Sequence, residues 1–192
     1  MLSGEGFKDV YNLSGGIAAW EGGVAEGPVG LNLEMVRGDE TPVEIIKVAY
    51  GMEKSLGEFY RILQERTQDN ELSDLLALLA SIEDKHKQYL FQMYSTIEPD
   101  GLSDTEFDAS VSATVLEGGF ESDDFIRKNE RFLQSVPSIL DVAMMLETQA
   151  LDLYLRFAKK TENAETRDLL YRIGDEEKSH VQSLGRLREE RA

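Results

Sequence analysis

The sequence predicts an all-α protein, an antiparallel four-helix bundle made of two repeated helical hairpins, with a long crossover between them and a short strand and helix before them. Three observations support this fold class. From about Pro42 onward, apolar residues recur with helical periodicity in stretches nearly free of Gly and Pro. Residues 49–90 align with residues 143–184 without a gap. The chain of 192 residues, 41% of them hydrophobic and 30% charged, is typical of a globular protein with a sizeable core.

The first 30 residues differ in composition from the rest, because they contain half of the 16 glycines. Their pattern predicts a short strand at 9–13, a turn at Ser14–Gly16 and the start of a helix at Ile17–Trp20. One strand and one short helix bury too little surface to fold alone. We therefore divide the chain into an N-terminal fragment with its linker, 1–30, and a main domain, 31–192.

The main domain contains four predicted long helices, at 42–67, 70–96, 137–161 and 164–190. Polar breaks at 67–70 and 161–163 separate the helices of each pair and supply N-cap residues. The stretch 97–136 between the pairs is longer and irregular. We interpret it as a crossover that includes a short helix at 123–134.

The two hairpins repeat each other at an offset of 94 residues, at polar as well as apolar positions. Each half carries a Glu, a Tyr seven residues later and a Glu-x-x-His motif: Glu53, Tyr60, Glu83 and His86, then Glu147, Tyr154, Glu177 and His180. In each half the two Glu are equidistant from the turn, so they lie at the same height in an antiparallel hairpin. The i, i+3 offset places Glu and His on one helix face. Each hairpin is therefore predicted to bring two Glu and one His together.

These residues stand on apolar helix stripes that we expect to be buried. Four buried carboxylates require compensation, which divalent cations provide. One Glu from each of two helices, with a Glu-x-x-His from each of the other two, is the ligand arrangement of two-metal carboxylate bundles. Oxygen-rich ligation without thiolate favours Fe or Mn over structural Zn. The predicted metal ligands are Glu53, Glu83, His86, Glu147, Glu177 and His180.

Less specific interpretations remain for several of these residues. The repeat could be purely structural, and Glu176 is the nearest rival of Glu177 as a ligand. Tyr60 and Tyr154 could hydrogen-bond the site or act as redox-active neighbours, but an amphipathic Tyr is also common in a bundle core.

Charge and cysteine content exclude several function classes. The chain has 37 acidic and 20 basic residues, and its net charge of −17 argues against nucleic acid or anionic membranes as partners. The absence of Cys excludes disulfides, Fe–S clusters and Cys-ligated zinc or iron. We find no run of 18 apolar residues and no signal-peptide pattern, and we expect a cytoplasmic protein.

Residues 42–190 resemble the ferritin-like superfamily, and its rubrerythrin-type branch most. The strings that carry the resemblance are Met52-Glu-Lys, Glu58-Phe-Tyr60, Ile82-Glu-Asp-Lys-His86, Leu146-Glu-Thr-Gln-Ala-Leu-Asp-Leu-Tyr154 and Asp175-Glu-Glu-Lys-Ser-His180. The resemblance implies a non-haem di-iron carboxylate site with two Fe ions, Mn being the alternative. The same six residues are its implied ligands, with Glu83 and Glu177 as bridges. Some rubrerythrins have a further Glu on the third ligand helix, but Thr148, Gln149 and Ala150 follow Glu147 here.

The same resemblance implies an oxidoreductase that reduces peroxide or O₂, or oxidises Fe(II), in the response to oxidative stress. Rubrerythrins proper carry a Cys-ligated domain that delivers electrons, so this chain, which has no Cys, is expected to need an external electron-donor protein. A homodimer is plausible. The alternatives are an iron-binding or metal-handling protein without catalytic turnover, and a structural bundle.

Residues 1–28 resemble the C-terminal end of a rhodanese domain, through the string from Gly6 to Trp20. The match covers about a quarter of such a domain. A rhodanese uses an active-site Cys, so sulfur transfer by this chain is not expected. The resemblance suggests a fusion of rhodanese and rubrerythrin-like domains, in which Met1 is an internal residue of a longer polypeptide.

Overall fold

The computed structural model describes residues 38–113, 115–116 and 120–191. In chain order the elements are α1 (Pro42–Arg66), α2 (Asn70–Ile97), α3 (Asp104–Ser110), β1 (Val115–Leu116), β2 (Phe120–Glu121), α4 (Ser122–Asn129), a 3₁₀ turn (Glu130–Phe132), α5 (Val136–Lys160) and α6 (Ala164–Glu190). The two-residue strands pair antiparallel. The all-α bundle is confirmed, and each long helix begins and ends within one residue of its predicted bounds. The predicted strand and helix of residues 9–20 and the boundary at 30/31 lie outside the described residues.

The long helices begin where side chains satisfy their first backbone N–H groups. Thr41 and Glu44 form a reciprocal capping box at α1. The side chain of Asp69 accepts from the Leu72 N–H at the start of α2. Asn163 does the same for two N–H groups at the start of α6. Each predicted polar break therefore supplies the N-cap residue of the second helix of its hairpin.

The helices pack as two hairpins, α1 with α2 and α5 with α6, which meet through α1 against α6 and α2 against α5. The core consists of two apolar clusters. Each long helix passes from one cluster to the other at its predicted ligand Glu: on α1, for example, Met52 belongs to the first cluster and Leu56 to the second. The four Glu thus form a polar layer between two apolar halves. None of the helices within the described ranges is long and apolar enough to cross a membrane.

The crossover contains a helix that the sequence analysis missed. Helix α3 inserts the fully buried ring of Phe107 against Tyr50, 5.1 Å between ring centroids. Asp108 accepts hydrogen bonds from the Tyr50 hydroxyl at 3.0 Å and from Lys54 Nζ at 2.7 Å. The capping box formed by Ser103 and Glu106 was a readable signal for this helix. The crossover therefore packs against α1 and hydrogen-bonds to it next to Glu53. Farther on, the predicted helix 123–134 is shorter in the structure, because α4 ends at Asn129 and a 3₁₀ turn follows.

Candidate metal centre

The six predicted ligands converge into two groups, one in each hairpin. Glu53, Glu83 and His86 form the first, and Glu147, Glu177 and His180 form the second, with the potential ligand atoms of each group within 4.8 Å of one another. His86 Nδ1 lies 3.3 Å from Glu53 Oε2 and 2.7 Å from Glu83 Oε2. His180 Nδ1 lies 3.5 Å from Glu147 Oε2 and 3.1 Å from Glu177 Oε2. The two halves of the sequence repeat therefore have nearly the same geometry.

The two groups adjoin each other across the bundle. The rings of His86 and His180 stack with their centroids 3.7 Å apart and an interplanar angle of 8°. In each ring Nδ1 is the nitrogen close to the carboxylates. The two hairpins thus contribute to one centre, because each imidazole faces both its own Glu pair and the opposite ring.

The carboxylates of this centre are buried, with Glu53 and Glu147 at 3% exposure and Glu83 and Glu177 at 1%. Among the described residues, Glu83 Oε2 and Glu147 Oε2 are buried oxygens without a well-oriented hydrogen-bond donor. Glu83 Oε2 is close to His86 Nδ1, but that nitrogen is hydrogen-bonded to Glu53. A buried acceptor without a donor costs about 1–3 kcal/mol. Cations between the carboxylates would satisfy both oxygens, so the donor set fits two metal ions.

Burial and mutual repulsion determine the protonation of the four carboxyls when no metal is bound. Burial raises the pKa of Glu83 and of Glu147 well above the usual range, and burial together with the charge of Glu53 raises the pKa of Glu177 to about 8. Burial would also raise the pKa of Glu53, but hydrogen bonding and the charge of His86 outweigh it and lower that pKa. Against its own burial, the neighbouring carboxylates of Glu53 and Glu83 raise the pKa of His86 to about 11. Without a metal the centre therefore retains protons that metal binding would displace.

The structure distinguishes Glu177 from Glu176, the alternative ligand. Glu177 points into the centre, whereas Glu176 is exposed. Tyr60 and Tyr154 are both buried, in different apolar clusters. The Tyr154 hydroxyl lies 3.9 Å from the sulfur of Met52. A redox role for either tyrosine stays a prediction.

A small cleft, about 60 Å³ in volume, reaches the centre between α2 and α6. Glu53, His86, Glu177 and His180 are at its base, and its other lining residues are Tyr89, Leu90, Ile173 and Glu176. The apolar stripe of the fourth predicted helix placed Ile173 near Glu177, but no sequence signal was used for Tyr89. Tyr89 stands at i+3 from His86, so its place on the ligand face was readable. Its position opposite α6 was not.

Comparison with known proteins gives one match, to a protein family. The sequence model of the Rubrerythrin family matches residues 44–188, which include all six residues of the centre. No curated protein and no solved structure matches the chain. The predicted rhodanese resemblance lies outside both the matched range and the described residues, and it stays a prediction. The chain, matched over most of its length, belongs to the rubrerythrin family.

Proposed function

We propose that the protein is a non-haem di-iron carboxylate oxidoreductase that reduces peroxide or O₂ with electrons from an external donor. The observation that carries the proposal is the pair of buried Glu/Glu/His groups, each with a carboxylate oxygen that lacks a well-oriented hydrogen-bond donor. An ordinary structural core would not retain this feature in both hairpins, since each such oxygen lowers stability.

Charge balance supports two divalent ions. Four ionised Glu carry −4, and two M²⁺ ions carry +4, which makes a buried centre of this composition electrically neutral. Bound iron would supply the redox equivalents and the Lewis acidity for the reaction. We propose Glu53, Glu83, Glu147 and Glu177 as oxygen ligands and Nδ1 of His86 and His180 as nitrogen ligands. The resemblance suggests Glu83 and Glu177 as the bridging carboxylates.

The residues of the chain have three tasks in this proposal. The carboxylates hold the ions in both oxidation states, and the apolar clusters on either side exclude bulk water from the centre. The protons that Glu177 and His86 retain without metal leave when the ions bind. Reduction of H₂O₂ to two waters consumes two electrons and two protons. The electrons come from outside, because the chain has no Cys-based relay.

The proposal is tested in two steps on the full chain. Anaerobic titration with Fe(II) should saturate at about two ions per chain, one for each imidazole. Diferrous protein should then react with H₂O₂ and cycle repeatedly when an artificial reductant is supplied.

Each result has a defined meaning. Saturation at zero or one ion would refute the two-metal centre. One round of oxidation without turnover under any donor would favour metal handling over catalysis. A full chain that binds no iron although it has a stable helical fold would favour a structural bundle.

A further inference from the structure

We propose that the cleft between α2 and α6 is the route by which small molecules reach the metal centre, and that Tyr89 and Ile173 restrict that route by size. The inference rests on one part of the proposed function, namely that the six-residue centre holds metal. It assigns a role to two residues that are not ligands. It also identifies which molecules the centre admits: those no larger than a few heavy atoms.

The exposure of the lining residues gives the direction of the route. Glu176 is exposed and Tyr89 is half-buried, whereas Leu90 and Ile173 are each 3% exposed. Glu53 and Glu177 are buried too, and the half-buried rings of His86 and His180 lie beside them. The cleft therefore has its rim at Tyr89 and Glu176, and buried side chains, the ligand Glu among them, line its interior.

The volume of the cleft determines what it admits. At about 60 Å³ it is less than half the size of an apolar cavity that binds benzene, roughly 150 Å³. Molecules of two or three heavy atoms, such as O₂, H₂O₂ or azide, fit this space. A molecule that carries an aromatic ring does not fit unless the walls move.

The walls are held in place by the core. Ile173 belongs to the first apolar cluster, and the ring of Tyr89 packs against that cluster. Moving either side chain would disturb the close packing of that cluster. The restriction is therefore a fixed property of the folded protein.

The rim also breaks the symmetry of the repeat. At an offset of 94 residues, the ligands match in kind, but Tyr89 corresponds to Ser183 and Glu176 corresponds to Ile82. Because the two halves hold the same ligand set with different rim residues, the geometry of the ligands does not require a tyrosine at position 89. Its bulk can be removed without changing a ligand.

The test uses the full chain loaded with Co(II), whose d–d absorption reports small ligands that bind the metal without any turnover. Azide is the small probe and benzoate is the bulky one. The variant is Tyr89→Ser, which places on α2 the residue that α6 carries at Ser183. Tyr171→Ser is the matched control, because Tyr171 is an exposed tyrosine of α6 that does not line the cleft. Tyr89→Phe keeps the ring and removes only the hydroxyl.

In the wild type, azide should change the Co(II) spectrum and benzoate should not. Tyr89→Ser should raise the apparent affinity for benzoate by about tenfold or more, with a much smaller change for azide, because the strain of displacing the ring is removed. Tyr89→Phe and Tyr171→Ser should behave as the wild type. Equal binding of both probes by the wild type, or the same response from Tyr89→Ser and Tyr171→Ser, would overturn the proposal.

A second variant narrows the route, whereas Tyr89→Ser widens it. Its result does not depend on how well Tyr89→Ser folds. Glu176→Trp adds bulk at the exposed rim and should weaken or slow azide binding. An unchanged response to azide would overturn the route. The proposed function fails in a different way: wild-type protein that binds no Co(II) has no metal centre, which refutes that function and the proposed route together.

Discussion

Glu177→Gln should stabilise the metal-free protein and weaken its stabilisation by metal. The carboxyl of Glu177 has an ordinary pKa of 4.5 and a pKa of about 8 in the folded chain. At pH 7 the unfolded chain ionises this group, whereas the folded chain retains its proton. One pKa unit corresponds to about 1.4 kcal/mol, so the carboxyl lowers the free energy of unfolding by about 3 kcal/mol at pH 7.

The sign of the pH dependence follows from the raised pKa. Below pH 4.5 the group is protonated in both states and stability is unaffected, and stability is lost as the pH rises from 4.5 to 8. Gln is neutral and of nearly the same shape, so the variant avoids this loss. The gain is at most about 3 kcal/mol at pH 7, because the new amide needs its own hydrogen-bond acceptors. For a chain of this size that is a rise in Tm of up to roughly 6–12 °C.

The assay is thermal unfolding of chelator-treated protein at pH 5, 7 and 8, repeated with saturating Mn(II). Glu176→Gln is the matched control, because it removes a neighbouring carboxylate that is exposed. The gain should appear only in Glu177→Gln, grow from pH 5 to 8, and reverse with Mn(II), which stabilises the wild type by mass action through an intact ligand set. A destabilised metal-free variant, or a gain independent of pH, would refute the reasoning.

Three further predictions concern the histidines, the N-terminal segment and the crossover. Replacing His86 and His180 together by Ala should lower iron occupancy below the wild-type value with the helical circular dichroism retained; unchanged occupancy would remove both from the ligand set. Deletion of residues 1–30 should leave a helical protein that binds the same metals with little loss of Tm, since the six ligands and the four long helices begin at Pro42 or later. A large fall in Tm would show that the boundary at 30/31 is wrong. Phe107→Ala should cost about 3–5 kcal/mol in urea unfolding because that ring is fully buried. Phe132→Ala, at a ring that is 64% exposed, should cost far less. Equal losses would contradict the conclusion that the packing of α3 against α1 stabilises the fold.

The sequence alone was sufficient to predict the four long helices and the convergence of Glu53, Glu83 and His86. Helix periodicity and N-caps are local properties, and the i, i+3 offset places two groups on one face whatever the rest of the chain does. The repeat extended the same inference to the second hairpin. Equal distances from each turn were enough to align Glu with Glu, because a short connection forces the two helices to run antiparallel.

The tertiary structure decided which carboxylates are buried and what surrounds them. The exposure of Glu176 beside the buried Glu177 depends on the rotation of α6 about its own axis, and that rotation is determined by packing against α5 and α1. The cleft at Tyr89 and Ile173 exists only because segments of α2 and α6 more than 80 residues apart in the chain both line it. Sequence periodicity shows which face of a helix is apolar. It does not show which residues of another helix that face will contact, because those contacts form only when distant segments pack together.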